Sequence, residues 1–285
     1  MLTLLAPAKL NLFLRITGRR KDGYHLLQTV FQLLAYGDEL QFRPRPDDAI
    51  TLALQSTETT DHESAELNTI DDNLVLRAAR ELQSHSGCQR GADITLIKRL
   101  PVGGGLGGGS SDAATALLGL NRLWSLNYPR AQLAELGLNL GADVPVFVHG
   151  HSAWAEGIGE HLTPLELPPR WFLVIAPNRA VSTAAVFADP QLTRNSPAIT
   201  IRAFREQGAG NDCQSVVERQ FPEVQAARRW LSQYAPAQMT GTGGCVFAAF
   251  ASEAQARAVL ESKPGQWRGF VARGVNTSPA HLPDV

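Results

Sequence analysis

Pro101-Val102-Gly103-Gly104-Gly105-Leu106-Gly107-Gly108-Gly109-Ser110-Ser111 is the stretch on which the reading of this chain turns. Six of the seven positions from 103 to 109 are glycine. Such a run is costly to order and brings no side chain to a core. It does bring bare backbone N–H groups and access to φ > 0, which a loop needs to close around phosphate oxygens. Upstream, Ile94, Leu96 and Leu100 alternate with Thr95, Ile97 and Arg99, which predicts a strand over 92–100. Downstream, Ala113, Ala116, Leu117, Leu120 and Trp124 recur at helical spacing, with Ser110 or Ser111 as the N-cap. The run therefore joins a strand to a helix N-terminus, where the macrodipole favours an anion. A flexible linker would have polar, low-complexity flanks, and these flanks are strongly apolar.

Two better-known phosphate loops do not fit. The P-loop needs a Lys and a Ser or Thr directly after its last glycine. Here Ser110 follows Gly109, and Lys98 stands ahead of the loop. Gly103, Gly105 and Gly108 match the dinucleotide pattern G-x-G-x-x-G, as almost any spacing in so rich a run would. The acidic residue that should follow is missing, since Leu123 to Gln132 contains no Asp or Glu.

The 285 residues suffice for two ordinary domains or one large one. A formal net charge of −1 excludes a strongly basic nucleic-acid binder, so an anionic ligand must be held locally. Cys88, Cys213 and Cys245 are widely spaced, with no C-x-x-C or Cys/His cluster. They predict neither a disulfide framework nor structural zinc, and they fit a reducing cytoplasm. Leu2–Leu5 is too short for the apolar stretch of a secretory leader, and no run approaches the ~18 apolar residues of a membrane span. The expectation is a cytoplasmic protein, a monomer or weak homodimer, with a small-molecule partner and neither nucleic acid nor membrane.

Along the chain, Leu10, Leu12, Leu14 and Ile16 alternate with Lys9, Asn11, Phe13 and Arg15. Leu5–Thr17 thus reads as a strand with one buried face, and Lys9 and Asn11 stand together on the other. Lys21-Asp22-Gly23 reads as a turn, Leu26–Leu34, Asp38–Arg43 and Ile50–Leu54 as strands, and Thr57–Asn68 as an exposed loop. Asn73–Ser84 reads as a helix capped by Asp71 or Asp72, and Arg130–Leu140 as a helix closed by Gly141. Residues 142–148 read as an apolar strand with Asp143 at its start. Pro164, Pro168 and Pro169 mark a boundary or long turn. Beyond it, Trp171–Ala176 reads as a strand, and the remainder suits a ferredoxin-like unit. Strands and helices mix without a βαβ rhythm, so the predicted class is α+β.

Phosphoryl transfer to an alcohol needs more than a phosphate loop. It needs a group to take the hydroxyl proton and positive charge for the phosphoryl oxygens. Lys9 is a lone cation between Ala8 and Leu10, and Asp143 a lone anion after Gly141-Ala142. Each is expensive near a core unless paired. Taken singly, each is equally a solvated strand lysine or a turn aspartate.

Taken together, the motifs carry a resemblance. They are Pro7-Ala8-Lys9-Leu10-Asn11-Leu12, Asp22-Gly23-Tyr24-His25, Pro101 to Ala114, Gly141 to Phe147, Asn211-Asp212 and Gly241-Thr242-Gly243. In order and content they resemble the GHMP kinase superfamily over almost the whole chain. The resemblance is strongest to its branch that phosphorylates 4-diphosphocytidyl-2-C-methyl-D-erythritol, in the methylerythritol phosphate route to isoprenoids. It implies a two-domain fold. Residues 1–155 would resemble ribosomal protein S5 domain 2 and carry the ATP phosphate loop. Residues 156–285 would form a ferredoxin-like domain, whose last strand either stays there or returns to the first.

The resemblance also implies roles. Asp143 would be the general base and a substrate contact, with Lys9 beside it stabilising charge on the transferring phosphoryl. Pro101, Val102, Gly103, Gly104, Gly105, Leu106, Gly107, Gly108, Gly109, Ser110 and Ser111 would cradle the phosphates of ATP. Lys98 would be a nucleotide contact or an exposed strand lysine. Tyr24, His25 and Phe187 would form a cytidine pocket, since an aromatic face stacks on a base and an imidazole reads its edge. Outside the resemblance those three are ordinary turn and core residues. Asn11 and Thr183 would bind substrate hydroxyls or phosphate. Mg²⁺ is expected with ATP; no glutamate presents itself as its ligand, and Ser111 is the one residue suggested. Two other readings stay open: a kinase of the same superfamily acting on homoserine or mevalonate, and a nucleotide-binding module without phosphoryl transfer.

Overall fold

The structure, a computed structural model, describes residues 1–56 and 72–281. The Thr57–Asn68 loop reading and the Asp71 cap lie outside these. Two long antiparallel strands, β1 (Leu2–Arg19) and β2 (His25–Arg45), form the backbone of the molecule. The segments read as Leu26–Leu34 and Asp38–Arg43 are one continuous strand, with Gly37 paired to Pro7 at the join. A side chain at 37 would run into the Ala6 carbonyl at 1.8 Å.

β1 is buried on both faces from Leu4 to Phe13 apart from Leu5 and Leu12, and not on one only. It passes through four apolar clusters in turn. Leu4 and Ala6 pack under the N-terminal helices. Ala8 and Leu10 pack with Phe172 and Phe247. Phe13 packs with Trp154, and Leu14 and Ile16 with Leu173 and Val216. Register shifts between Pro7 and Lys9 and between Asn11 and Leu14 re-aim the side chains in between.

β4 (Gly91–Lys98) pairs antiparallel with β2, and β3 (Ile50–Ser56) lies parallel to β4 on the outer edge. Helices α1 (Leu74–Ser86), α2 (Gly108–Leu123) and α3 (Arg130–Leu138) cover this sheet. The cap of α1 is Asn73, whose side chain accepts from the Val75 N–H at 2.9 Å, and not Asp72. Short helix α4 (Val144–His149) follows, where an apolar strand was expected. A six-residue apolar run cannot declare its period, and here Val144, Val146, Phe147 and Val148 are all buried.

After the hairpin β5 (Ala153–Glu156) and β6 (His161–Pro164) comes an antiparallel sheet. It holds β7 (Trp171–Ala176), β8 (Ala237–Met239), β9 (Val246–Phe250) and β10 (Arg268–Val275) in the order β10-β7-β9-β8. Helices α5 (Thr183–Ala188), α6 (Ile201–Gln207), α7 (Gln214–Gln220), α8 (Pro222–Leu231) and α9 (Glu253–Glu261) complete this half. The end of β10 pairs with β2 at Gly274–Leu34 and Val275–Leu33, making one ten-stranded sheet of both halves. Among the described residues no helix is long and apolar enough to cross a membrane.

Candidate active site

A cavity of about 530 Å³ opens where the two halves meet. Residues Pro101 to Ser110 form one wall. The glycine run folds as a cradle, with Gly103, Gly105 and Gly107 at φ of +67°, +77° and +71°. Its carbonyls are spent on the wall behind it. Gly103 O accepts from Gly244 N at 3.2 Å and Gly104 O from Cys245 N at 3.1 Å. Leu106 O accepts from Lys9 N at 2.9 Å. Leu106, the one side chain in the run, is buried between the halves and anchors it.

The N-cap of α2 is Gly107, and it makes no side-chain capping bond. Ser110 and Ser111, expected as caps, lie inside the first turn. The first N–H groups of the helix thus have no intrahelical acceptor and no capping side chain, and the positive end of the helix is left for an anion. Ser110 lines the cavity. Ser111 does not: it is fully buried, and its Oγ has no hydrogen-bond partner.

Lys9 and Asp143 meet at this wall, Nζ to Oδ2 at 3.2 Å. Lys9 is 4% exposed and Asp143 33%, so the lysine is structural floor and the carboxylate faces the opening. Asp143 occupies the N-cap position of α4 yet makes no capping bond, so its carboxylate is not spent on the helix. Lys9 is aimed by the site itself. Its ammonium donates to Asn11 Oδ1 at 2.6 Å and to Gly105 O at 3.2 Å, and lies 5.2 Å from the Phe31 ring centre. Asn11 in turn donates from Nδ2 to Thr29 Oγ1 at 2.9 Å. Asn11 lines the cavity, but its amide is committed to Lys9 and Thr29. Thr183 also lines it, sharing a 2.7 Å hydrogen bond with Thr242.

Lys98 is no exposed strand lysine. It lies between two buried carboxylates, 2.5 Å from Asp38 Oδ2 and 2.9 Å from Asp112 Oδ2. Asp38 also accepts the N–H groups of Arg99 at 2.6 Å and Leu100 at 2.8 Å. The strand ahead of the loop and the helix after it are thereby clamped together. Burial would lower Lys98, but the charges of Asp112 and Asp38 outweigh it and hold the ammonium above its usual range. Burial pushes Asp112 up to about 7, with Lys98 opposing and Asp38 adding to the effect. Sequence reading missed Asp38, which carries no motif and owes its role to strand pairing.

His25 and Phe187 are brought together as a stacked pair, 4.8 Å between ring centres and 15° between planes. Tyr24 stands apart, 60% exposed. Of these three only Phe187 lines the cavity. Arg194, which sequence reading also missed, donates from Nε to His25 Nε2 at 3.1 Å. Burial, then the charges of Arg194 and Arg19, lower the pKa of His25.

The oxygen donors near the loop are few. Of the carboxylates on the cavity wall, Asp112 holds Lys98 through Oδ2 while its Oδ1 is buried without a hydrogen-bond partner, Asp143 meets Lys9 through Oδ2, and Asp72 stands just ahead of α1. Ser111 is buried behind the cavity wall, and no group of three or more His, Cys, Asp or Glu side chains that could hold a metal occurs among the described residues.

Comparison with known proteins adds names to this geometry. Residues 73–151 match the GHMP kinases N terminal domain and residues 192–265 the GHMP kinases C terminal domain. A 4-diphosphocytidyl-2-C-methyl-D-erythritol kinase from Alkalilimnicola ehrlichii is 58% identical over 96% of this chain and 91% of its own length. One of the same name from Chromohalobacter salexigens is 56% identical over 98% and 93%. A crystal structure of 4-(cytidine 5'-diphospho)-2C-methyl-D-erythritol kinase superposes with a TM-score of 0.79 at 32% identity, covering 96% of this chain and 99% of that one. A homoserine kinase from Cytophaga hutchinsonii superposes at 0.68 with 15% identity over 97% and 95%, a likeness of fold.

Proposed function

The chain belongs to the 4-diphosphocytidyl-2-C-methyl-D-erythritol kinases of the GHMP superfamily, and from that premise we propose how its residues carry the activity. It is an ATP-dependent kinase of a small-molecule alcohol. Its acceptor is the 2-hydroxyl of 4-diphosphocytidyl-2-C-methyl-D-erythritol, and its products are ADP and the 2-phosphate. Residues 101–110 and the uncapped start of α2 hold the nucleotide phosphates. Asp143 takes the hydroxyl proton as that oxygen attacks the γ-phosphorus, and the bond to the bridging oxygen of ADP breaks. Lys9 holds Asp143 in place and offers its charge to the phosphoryl oxygens, exchanging its bond to the Gly105 carbonyl for one to the transferred group. Tyr24, His25 and Phe187 bind the cytosine end, and Thr183 with Thr242 the polyol or diphosphate.

The observation that carries this reading is the Lys9–Asp143 pair set against the glycine cradle. A phosphate-binding module without transfer has no use for a carboxylate presented beside a buried ammonium. The test is ADP release by the purified protein with this substrate, with homoserine and with mevalonate, alongside phosphorus NMR of the product. Turnover confined to the cytidine-bearing alcohol, with a new phosphomonoester on its tertiary carbon, is expected. Preference for either small alcohol, or no turnover with any, overturns the assignment.

A further inference from the structure

We propose that Arg194 is a positioning residue that fixes the tautomer of His25, and through it makes the pocket accept cytosine and refuse uracil. This rests on the reading of Tyr24, His25 and Phe187 as the base pocket.

The argument begins with a donor that cannot become an acceptor. Every polar hydrogen of a guanidinium points outward, and none of its nitrogens offers a lone pair. Since Arg194 Nε donates to His25 Nε2, that ring nitrogen must carry the lone pair. A neutral imidazole has one proton, so it sits on Nδ1. Burial, and then the flanking charges of Arg194 and Arg19, disfavour the imidazolium in the same sense. Arg194 is itself pinned. Its Nη1 donates to Leu192 O at 3.1 Å, and its Nη2 to Phe187 O at 2.9 Å and Asp189 O at 2.7 Å. One guanidinium thus holds the imidazole and the backbone of its stacking partner at once.

The ring planes decide what Nδ1–H can read. A base hydrogen-bonded edge-on to His25 lies near the imidazole plane, and that plane is within 15° of the Phe187 ring. One orientation therefore serves both the edge contact and the aromatic face. Cytosine offers a lone pair at ring N3; uracil offers an N3–H. Nδ1–H pairs with the first and abuts a proton in the second. An unrestrained histidine would answer uracil by moving its proton to Nε2. Here that move would set Nε2–H against the Arg194 Nε–H, so the imidazole cannot adapt. Discrimination comes from this repulsive arrangement as much as from the favourable bond.

The test uses the full chain with the cytidine-bearing substrate and its uridine counterpart. Wild type is expected to favour the cytidine form in kcat/KM by roughly 10–100-fold, the range for one buried hydrogen bond exchanged for an unpaired contact. Arg194→Met should narrow that ratio to within a few-fold, because His25 becomes free to change tautomer. Arg194→Lys, which keeps a cationic donor, should hold most of it. A purely structural role would weaken both substrates alike and leave the ratio standing. Nitrogen NMR of unliganded wild type should find His25 protonated on Nδ1 and bare on Nε2. A ratio unchanged in Arg194→Met, or a proton on Nε2 in wild type, overturns the proposal. Absence of turnover with both nucleotide-bearing substrates would instead overturn the kinase reading, and the NMR result would still decide the tautomer.

Discussion

At the scale of single residues the site depends on two charges that the sequence shows plainly and a pairing that it does not. Lys9 and Asp143 stand out as lone ions in apolar surroundings. Nothing in either segment says that they end 3.2 Å apart; that follows from the register of β1 and the start of α4. Arg194 and Asp38 gave no signal at all, since neither sits in a motif and each acts through partners far along the chain. The test at this scale is Asp143→Asn. The amide keeps the shape and the contact with Lys9, but it cannot take a proton. The expected result is a loss of kcat of about 10²–10⁴-fold, the usual worth of a general base. The KM for ATP should stay near wild type, because the phosphate cradle is built from backbone that Asp143 does not touch. Steady-state kinetics with both substrates varied will measure this, and near-normal kcat would remove Asp143 from the base role.

At the scale of elements, the strand–loop–helix unit was legible because periodicity is strong in β4 and α2 and the glycines punctuate it. Its cap was not: serine is the better capping residue in general, but Gly107 reaches φ +71° and lets the chain enter the helix three or four residues earlier. The misread α4 has the opposite cause, a run too short and too uniformly buried to show a period. What fixes the unit in place is Lys98 between Asp38 of β2 and Asp112 of α2. This clamp gives a pH dependence of defined sign. Asp112 has a folded-state pKa raised from 3.8 to about 7, so between those values the folded chain binds more protons than the unfolded one. Stability contributed at Asp112 is therefore greatest below the unfolded value and declines as pH rises through the window, by up to ~1.4 kcal/mol per pH unit. Asp112→Asn has no such proton to lose. In urea unfolding at a series of pH values, the difference between variant and wild type should move in the variant's favour from about pH 4 to about pH 7 and level off above. A difference flat across that range would contradict the assignment.

At the scale of the molecule, the phosphate cradle belongs to neither half alone. Its residues follow β4, but its back is hydrogen-bonded to Gly244 and Cys245 of the C-terminal half, and Leu106 packs with Phe172 and Phe247. The α+β class and the motif order were readable from local pattern. The pairing of β10 with β2 as well as β7 was not: the resemblance left open whether the last strand returns to the first half, and strand partners are chosen by the whole sheet and leave no mark in one strand's residues. A consequence is that a change in the second half should be felt as a defect in nucleotide binding. Gly243 lies outside the cavity wall. A Cβ placed on it would stand 2.1 Å from Gly105 N and 2.3 Å from Gly104 C. Both are backbone atoms, so no side chain can swing aside, and the cradle and the 241–244 turn must separate. Gly243→Ala should therefore raise the KM for ATP tenfold or more, and cost about 1–3 kcal/mol of stability through overpacking. Gly265→Ala is the matched control, since a Cβ there meets nothing within 4 Å. It should leave KM and Tm unchanged. If Gly243→Ala lowers Tm while ATP affinity stays at the wild-type value, then the cradle holds its shape without the C-terminal half, and the two halves share a sheet but not a binding site.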